Sequence, residues 1–280
     1  MKSIIYTAVL SCGLLLGGCV GTQFVVDQTH TAQGQSERIE YIVLHYTAEN
    51  DENSLAVLTT GQVSSHYLIP TGHDRRIYQL VDDHKKAWHA GASHFQGKTA
   101  LNDISIGIEI VNAGVHAAYR GQRGYLPHEA YVDYEPQQIA KVAELLTTLI
   151  ARYDIPATNI LAHSDIAPSR KIDPGAKFPW AYLYHTHGIG AWYDEQDKLS
   201  YLAQLNDEVM ADMPISQIKA ELRRYGYQIN DSEEWDRSSQ DVVYAFQLHF
   251  RPQRPTGVMD AETLAILRAL NHKYRSAPQL

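Results

Sequence analysis

Two apolar, β-rich segments constrain the fold of this 280-residue chain more than any other feature. Residues 39–47 (IEYIVLHYT) and 104–112 (ISIGIEIVN) are almost continuously apolar, which is typical of central strands that are covered on both faces. Residues 136–153 repeat apolar side chains at helical spacing, and Pro136 suits the first turn of a helix. Strands interspersed with helices predict an α/β fold with a mixed central β-sheet flanked by helices.

The first residues have the pattern of an export signal. Lys2 precedes an apolar stretch, residues 4–16, that is too short for a membrane span. The stretch ends in LGGC (residues 16–19), which resembles a bacterial lipobox and implies cleavage before Cys19 and lipidation of that cysteine. Val20 is not the aspartate that retains many lipoproteins in the inner membrane, so the resemblance implies an outer-membrane lipoprotein that faces the periplasm. The alternative is an ordinary signal peptide followed by an unmodified thiol.

The pattern changes four times along the chain and predicts five segments. We assign residues 1–18 to a lipoprotein signal, 19–37 to a lipidated tether, 38–192 to the α/β domain, 193–213 to a charged connector and 214–273 to a small three-helix domain. A helical domain of about 60 residues is near the lower limit for independent stability. The net charge of −8, without a basic run, argues against nucleic-acid binding. One domain of each kind behind a membrane tether is compatible with a monomer.

Three residues have the chemistry of a metal site. His45 lies near the end of the first apolar run, His163 ends a second one in NILAHSD (residues 159–165), and Asp173 follows in KIDPG (residues 171–175). Two imidazoles and one carboxylate are ligands that a catalytic Zn²⁺ takes while its fourth position stays open for water. The pattern therefore predicts a zinc hydrolase.

Glu109 is the candidate general base. Successive side chains of a strand point to opposite faces, so Ser105, Gly107 and Glu109 share one face. Small residues that lead to a carboxylate suggest a floor with space above it, where Glu109 could take a proton from an attacking water. The alternative is a solvent-facing glutamate.

Lys171 is the candidate for stabilising negative charge. It lies two positions before Asp173, and such positions share a side in an extended segment. Its ammonium would then lie beside the metal and stabilise an oxyanion. The alternative is a surface lysine, and the neighbouring Arg170 is expected to face solvent.

Six sequence blocks resemble, in order, the type 2 N-acetylmuramoyl-L-alanine amidases, which are related to the peptidoglycan recognition proteins. The blocks are VLHYTA (43–48), SSHYLI (64–69), AWHAGAS (87–93), NDISIGIEIVN (102–112), AHSDIAPSRKIDPG (162–175) and FPW (178–180). The resemblance implies Zn²⁺ bound by His45, His163 and Asp173, with Glu109 as base and Lys171 assisting. The implied reaction is hydrolysis of the amide between the lactyl group of N-acetylmuramic acid and L-alanine, in peptidoglycan or its muropeptides.

Other matching residues are expected at the substrate. His66, Trp88, His89 and Asn102 lie in matching blocks, so we place them in the substrate groove or behind the ligands, with packing beneath the site as the alternative. Two other functions stay open: a non-catalytic peptidoglycan recognition module, and a zinc peptidase that cuts within the stem peptide.

The C-terminal segment resembles the three-helix peptidoglycan-binding domains. The matching stretches are ELRRYGY (221–227), VVYAFQLHF (242–250) and TGVMDAETLAIL (256–267). A domain of this kind would hold the enzyme on its polymer and raise the effective substrate concentration. The alternative is a helical appendage that packs on the catalytic domain.

Overall fold

A five-stranded mixed sheet lies at the centre of the structure, a computed structural model that describes residue 27 and residues 29–276. The strand order is β3-β2-β6-β1-β7; β3 is antiparallel to β2, and the other pairs are parallel. A separate hairpin pairs β4 with β5. The strands are β1 (Tyr41–Tyr46), β2 (Tyr67–Ile69), β3 (Tyr78–Gln79), β4 (His94–Phe95), β5 (Lys98–Thr99), β6 (Ser105–Ile110) and β7 (Ile160–Ala162). The predicted mixed sheet is confirmed.

Helices flank this sheet, as the sequence predicts. The α-helices are α1 (Asp51–Thr60), α2 (Pro136–Tyr153), α3 (His163–Ile166), α4 (Trp180–His187), α5 (Glu195–Leu202), α6 (Asp207–Asp212), α7 (Ile215–Tyr225), α8 (Arg237–Phe250) and α9 (Ala261–Arg275). Short 3-10 helices are Leu101–Asp103, Ala117–Tyr119, His128–Ala130 and Ala157–Asn159.

The two long apolar runs form adjacent central strands. Ile42 and Leu44 of β1 and Ile106 and Ile108 of β6 are completely buried, which explains why both sequences are nearly continuously apolar. The parallel register pairs His45 with Glu109. Because neighbouring strands lie about 4.8 Å apart, this register brings the imidazole and the carboxylate to the same place.

Helix α2 begins and ends at the residues that its apolar periodicity predicts. Pro136 occupies the first turn, and Glu135 and Gln138 satisfy the free backbone groups through a reciprocal capping box. Ile139, Val142 and Leu146 are buried in the same hydrophobic core as the strands. The helix therefore covers the sheet with its apolar face and leaves the polar face in solvent.

The C-terminal helices share the hydrophobic core of the sheet. Asp236 and Asp260 cap α8 and α9 by accepting from backbone amides, and Gly226 ends α7 with a positive φ of 146°. Tyr225 and Phe246 belong to one continuous buried cluster with residues of the sheet, its loops and α4. The domain boundaries placed at residues 192, 213 and 273 stay predictions.

Two compact units divide the chain at residue 36. Glu37–Leu280 includes all of the strands and helices above, and the lipobox with Cys19 belongs to Met1–Ser36, where it lies outside the described residues. Over residue 27 and residues 29–276, no helix has both the length and the apolar character needed to cross a membrane.

Candidate functional site

The carboxyl ends of two parallel strands bring three candidate ligands together. His45 lies near the end of β1, His163 begins α3 directly after β7, and Asp173 lies in the loop beyond. The Nδ1 atoms of His45 and His163 are 2.8 Å apart, and Asp173 Oδ2 lies 3.1 Å from the first and 3.0 Å from the second. All three side chains are buried, so this close approach is imposed by the fold.

The cluster fits a small, tetrahedrally coordinated metal ion. Bonds of about 2.0–2.1 Å at tetrahedral angles would separate ligand atoms by about 3.3 Å, slightly more than the separations seen among these atoms. Two imidazole nitrogens and one carboxylate oxygen leave one coordination position free, which is the arrangement of catalytic sites. The donor set and its spacing therefore both suit a metal centre.

Hydrogen bonds on the outer side of each imidazole fix the atom that faces the metal. Ser105 Oγ donates to the Leu101 carbonyl (2.6 Å) and so accepts from His89 Nε2 (3.2 Å). His89 Nδ1 must then accept from His45 Nε2 (3.0 Å). His163 Nε2 faces the Ala90 carbonyl (3.2 Å), which can only accept. Both Nδ1 lone pairs are consequently free for a metal.

Burial and nearby charges shift the pKa values of His45 and Asp173 toward the forms that bind metal. Burial is the main cause that lowers the pKa of His45 to about 4, and the charge of His163 is the second. The imidazole of His45 is therefore neutral at pH 7. Burial alone would raise the pKa of Asp173, but whenever His163 or His45 is protonated, its charge and its hydrogen bond lower that pKa, with His163 having the larger effect. A neutral imidazole and an ionised carboxylate bind a metal without first losing a proton.

Glu109 lies beside the three ligands with a free carboxylate oxygen. Its Oε2 is buried and has no hydrogen-bond partner among the described residues. Burial is the main cause that raises the pKa of Glu109 well above its ordinary value, and the negative charge of Asp173 is the second. The positive charge of Lys171 opposes this shift. A buried carboxylate of raised pKa accepts a proton more readily than an exposed one.

An open cleft of about 350 Å³ gives access to this carboxylate and to the ligands. Lys171 is half-buried in the cleft wall, and Trp88 is 59% exposed at the same cleft. The residues that line it include His45, Tyr46, Trp88, His89, Glu109, His163, Lys171 and Asp173. The sequence predicts space above the small residues of β6, but the His89 ring fills part of it. A Cβ atom added to Gly107 would lie only 2.4 Å from that ring.

The remaining predicted residues lie behind the cleft. His66 is completely buried, where its Nδ1 accepts from the Gly107 amide (3.0 Å) and its Nε2 donates to the Lys85 carbonyl (3.1 Å). Asn102 Oδ1 accepts from the amides of His89 (3.1 Å) and Ala90 (2.8 Å). Both residues hold backbone in place, and neither lines the cleft.

Sequence reasoning missed two supporting contacts. Arg170 is exposed, as expected, but its guanidinium also donates to the carbonyls of Ala90 and Ala92, at 2.8 Å each. Ser105 ends the hydrogen-bond chain behind His45, and its position on the Glu109 face of β6 was the available signal. The partners of Arg170 and Ser105 could not be read from the sequence, because each contact joins segments that are distant along the chain.

Replacing His89 by leucine is expected to weaken metal binding by about 10- to 100-fold. Leucine keeps much of the volume but removes the acceptor that orients His45, whereas His89→Gln offers an amide oxygen as a substitute. Isothermal titration with a divalent metal would measure both affinities. Native affinity in His89→Leu would show that the ring only fills space.

Comparisons with known proteins identify two families along the chain. Residues 35–176 match the family described as "N-acetylmuramoyl-L-alanine amidase", and residues 213–267 match the family described as "Putative peptidoglycan binding domain". The chain is 43% identical over 277 residues to N-acetylmuramoyl-L-alanine amidase AmiD of Escherichia coli strain K12, covering 95% of this chain and 96% of that protein.

A second curated relative matches a shorter region. The 1,6-anhydro-N-acetylmuramyl-L-alanine amidase AmpD of Citrobacter freundii is 42% identical over 120 residues, which are 43% of this chain and 54% of that protein.

Solved structures extend the likeness to most of the described fold. AmiD from E. coli, in complex with anhydro-N-acetylmuramic acid-L-Ala-D-gamma-Glu-L-Lys, aligns with a TM-score of 0.79 at 41% identity, covering 91% of this chain and 97% of that one. AmpDh3 from Pseudomonas aeruginosa aligns with a TM-score of 0.80 at 38% identity, covering 90% of this chain and 100% of that one. The chain belongs to the N-acetylmuramoyl-L-alanine amidase family and is an amidase with a candidate metal site of two histidines and one aspartate.

Proposed function

We propose that this amidase is a zinc enzyme whose ligands are His45, His163 and Asp173. The observation that carries the proposal is the convergence of their three ligand atoms beside a carboxylate, that of Glu109, which has an unpartnered oxygen. Zinc suits this mixed nitrogen and oxygen set because it favours four-coordinate sites with one position open.

Glu109 acts as the proton carrier in the proposed mechanism. Zinc, when bound, lowers the pKa of water to near neutral and polarises a carbonyl. Glu109 takes a proton from the attacking water as its oxygen bonds to the lactyl carbonyl carbon. Glu109 then donates that proton to the L-alanine nitrogen as the carbon–nitrogen bond breaks. The raised pKa of Glu109 favours the first transfer, because a more basic carboxylate accepts a proton more readily. The second transfer follows because the departing amine nitrogen is a stronger base than a carboxylate.

Lys171 stabilises the negative charge that develops during the attack. It lines the cleft that contains Glu109 and Asp173, and its half-buried position limits screening by water. When water adds to the lactyl carbonyl, the carbonyl oxygen becomes an oxyanion. The ammonium of Lys171 provides the complementary charge.

The proposed substrate is a muropeptide with an N-acetylmuramyl end. The AmiD structure holds a substrate of this chemical class, and a second AmpDh3 structure holds an anhydromuramic pentapeptide. In this chain the exposed indole of Trp88 borders the cleft, where it offers an aromatic face to a sugar or peptide. His89 lines the same cleft, so it would approach the substrate while it orients His45.

The proposed site of action is the inner face of the outer membrane. The lipobox-like LGGC would place a lipid on Cys19, and the polar tether would let a monomeric enzyme reach the nearby wall. The match of residues 213–267 to a peptidoglycan-binding family supports attachment to the polymer.

Digestion of purified peptidoglycan, with and without a zinc chelator, tests this function. We expect free stem peptides with L-alanine at the N-terminus, detected by mass spectrometry, which disappear with chelator and return with zinc. Fragments cut within the stem would indicate a peptidase. Binding of the polymer without any product would indicate a recognition module.

A further inference from the structure

A buried carboxylate lies directly behind the metal ligand His163. Asp165 belongs to α3, the single turn that His163 begins, and only 1% of Asp165 is exposed. Its Oδ2 accepts from the backbone amide of Ala162 (2.8 Å), the residue that precedes His163. Asp165 therefore closes the turn that carries the ligand.

The other hydrogen bonds to Asp165 come from the C-terminal helical region. Tyr227 donates its hydroxyl to Oδ1 (2.5 Å), and His249 Nδ1 donates to Oδ2 (2.7 Å). Both donors are almost completely buried, and the His249 ring stacks on Trp180 with a centroid distance of 3.8 Å. Two of the three donors that satisfy this carboxylate thus lie outside the region that matches the amidase family, which ends at residue 176.

Losing these donors would leave Asp165 in an unfavourable state. An ionised carboxylate away from water is costly unless hydrogen bonds or opposite charges compensate it. Without Tyr227 and His249, only the Ala162 amide would remain, and the α3 turn would have to open toward water. Opening would move His163, which begins that turn.

The same turn is connected to another metal ligand. The Ser164 amide donates to the Asp173 carbonyl (3.0 Å), so the backbones of the His163 and Asp173 segments are joined behind the metal site. A shift of α3 would consequently displace two of the three ligands together. A displacement of about 1 Å is enough to impair a catalytic arrangement.

We infer that Tyr227 and His249 are positioning residues, and that the C-terminal helical region holds the metal site in its binding geometry through Asp165. The inference rests on the proposed function, because it requires that His163 and Asp173 bind a metal. It gives the region a role in addition to attachment to peptidoglycan.

The test measures zinc affinity in the full-length protein by competition with a chromophoric chelator. Tyr227→Phe removes one hydroxyl, and we expect the zinc dissociation constant to rise about tenfold, within the usual range for residues behind a ligand. His249→Leu should weaken zinc binding similarly. His249→Asn should restore most of the affinity, because the asparagine amide can donate from nearly the same place as Nδ1.

The matched control is Tyr244→Phe. Tyr244 is also a buried tyrosine of the helical region, but its hydroxyl bonds to Tyr131 and Leu126 instead of the α3 turn. We expect both Tyr→Phe variants to lower the melting temperature of the metal-free protein, and Tyr244→Phe to keep its zinc affinity within about twofold.

Two different results would overturn the inference, and they are distinguishable. Equal zinc affinities in Tyr227→Phe, Tyr244→Phe and the unaltered protein would show that the Asp165 contacts only stabilise the fold. Failure of the unaltered protein to bind zinc would contradict the proposed function itself, and the positioning role would be lost with it.

Discussion

Replacing Glu109 by glutamine is expected to lower amide hydrolysis by about 10³-fold and to leave the metal bound. Glutamine has nearly the same size and shape but cannot accept the proton of the attacking water. The three ligands are untouched, since Glu109 makes no hydrogen bond to them through its free Oε2. Product release measured by mass spectrometry, together with the metal content of the purified variant, checks both parts of the expectation.

Glu40→Gln is the control for this substitution. Glu40 is a half-buried glutamate that forms a 3.2 Å ion pair with Lys98 and does not line the cleft. Its replacement removes the same charge from the protein and should leave turnover unchanged. Near-native rates in Glu109→Gln would assign the proton transfer to another group.

The parts of the fold that could be predicted are those with long, regular patterns. Strands β1 and β6 have six residues each, and burial on both faces makes them recognisable as apolar runs. Helix α2 has 18 residues, so its periodicity and its Pro136 start define both ends. Alternation along β6 also placed Glu109 on the face with Ser105 and Gly107.

Short elements gave no usable pattern. Strands β2 and β7 have three residues each and β3 has two, which is too few for any period to be recognised. Pairing with the long strands β6 and β1 decides the places of β2 and β7, and pairing with β2 decides the place of β3. Tertiary contacts therefore determine these elements, and local propensity does not.

The supporting contacts of the site could not be predicted for a similar reason. His249 lies in the stretch that resembles a peptidoglycan-binding domain, where nothing marks it as a partner of the amidase region, yet it bonds to Asp165 across 84 positions of the chain. The chain of hydrogen bonds behind His45 joins β1, a loop and β6. The proposed ligands His45 and His163 were recognisable because they lie at the ends of apolar runs, whereas the residues behind them depend on how distant segments meet.

Asp173→Asn is expected to abolish most zinc binding and to lower turnover by about 10³-fold. The amide oxygen is neutral and is not among the ligands that zinc ordinarily takes in proteins. The Lewis-acid contribution of a catalytic metal is worth several kcal/mol, and each 1.36 kcal/mol corresponds to a factor of ten in rate. Metal analysis of the purified variant and a zinc titration of its activity measure the effect.

Asp83→Asn is the matched control, because Asp83 is also buried, at 7% exposure against 6% for Asp173, but lies outside the cleft. Burial would raise the pKa of Asp83, but hydrogen bonds from Tyr67, Tyr153 and Arg152 outweigh it and lower the pKa. Its stabilising contribution is therefore complete above the ordinary pKa of about 4 and is lost as the pH falls below it.

We expect Asp83→Asn to lower the free energy of unfolding by about 1–3 kcal/mol at pH 7. The difference should shrink in acid, while zinc content and turnover stay native at neutral pH. Equal loss of zinc in the two variants would mean that Asp173 acts through stability and is not a ligand. Loss confined to Asp173→Asn would assign the carboxylate to the metal, because the two substitutions differ in position and not in chemistry.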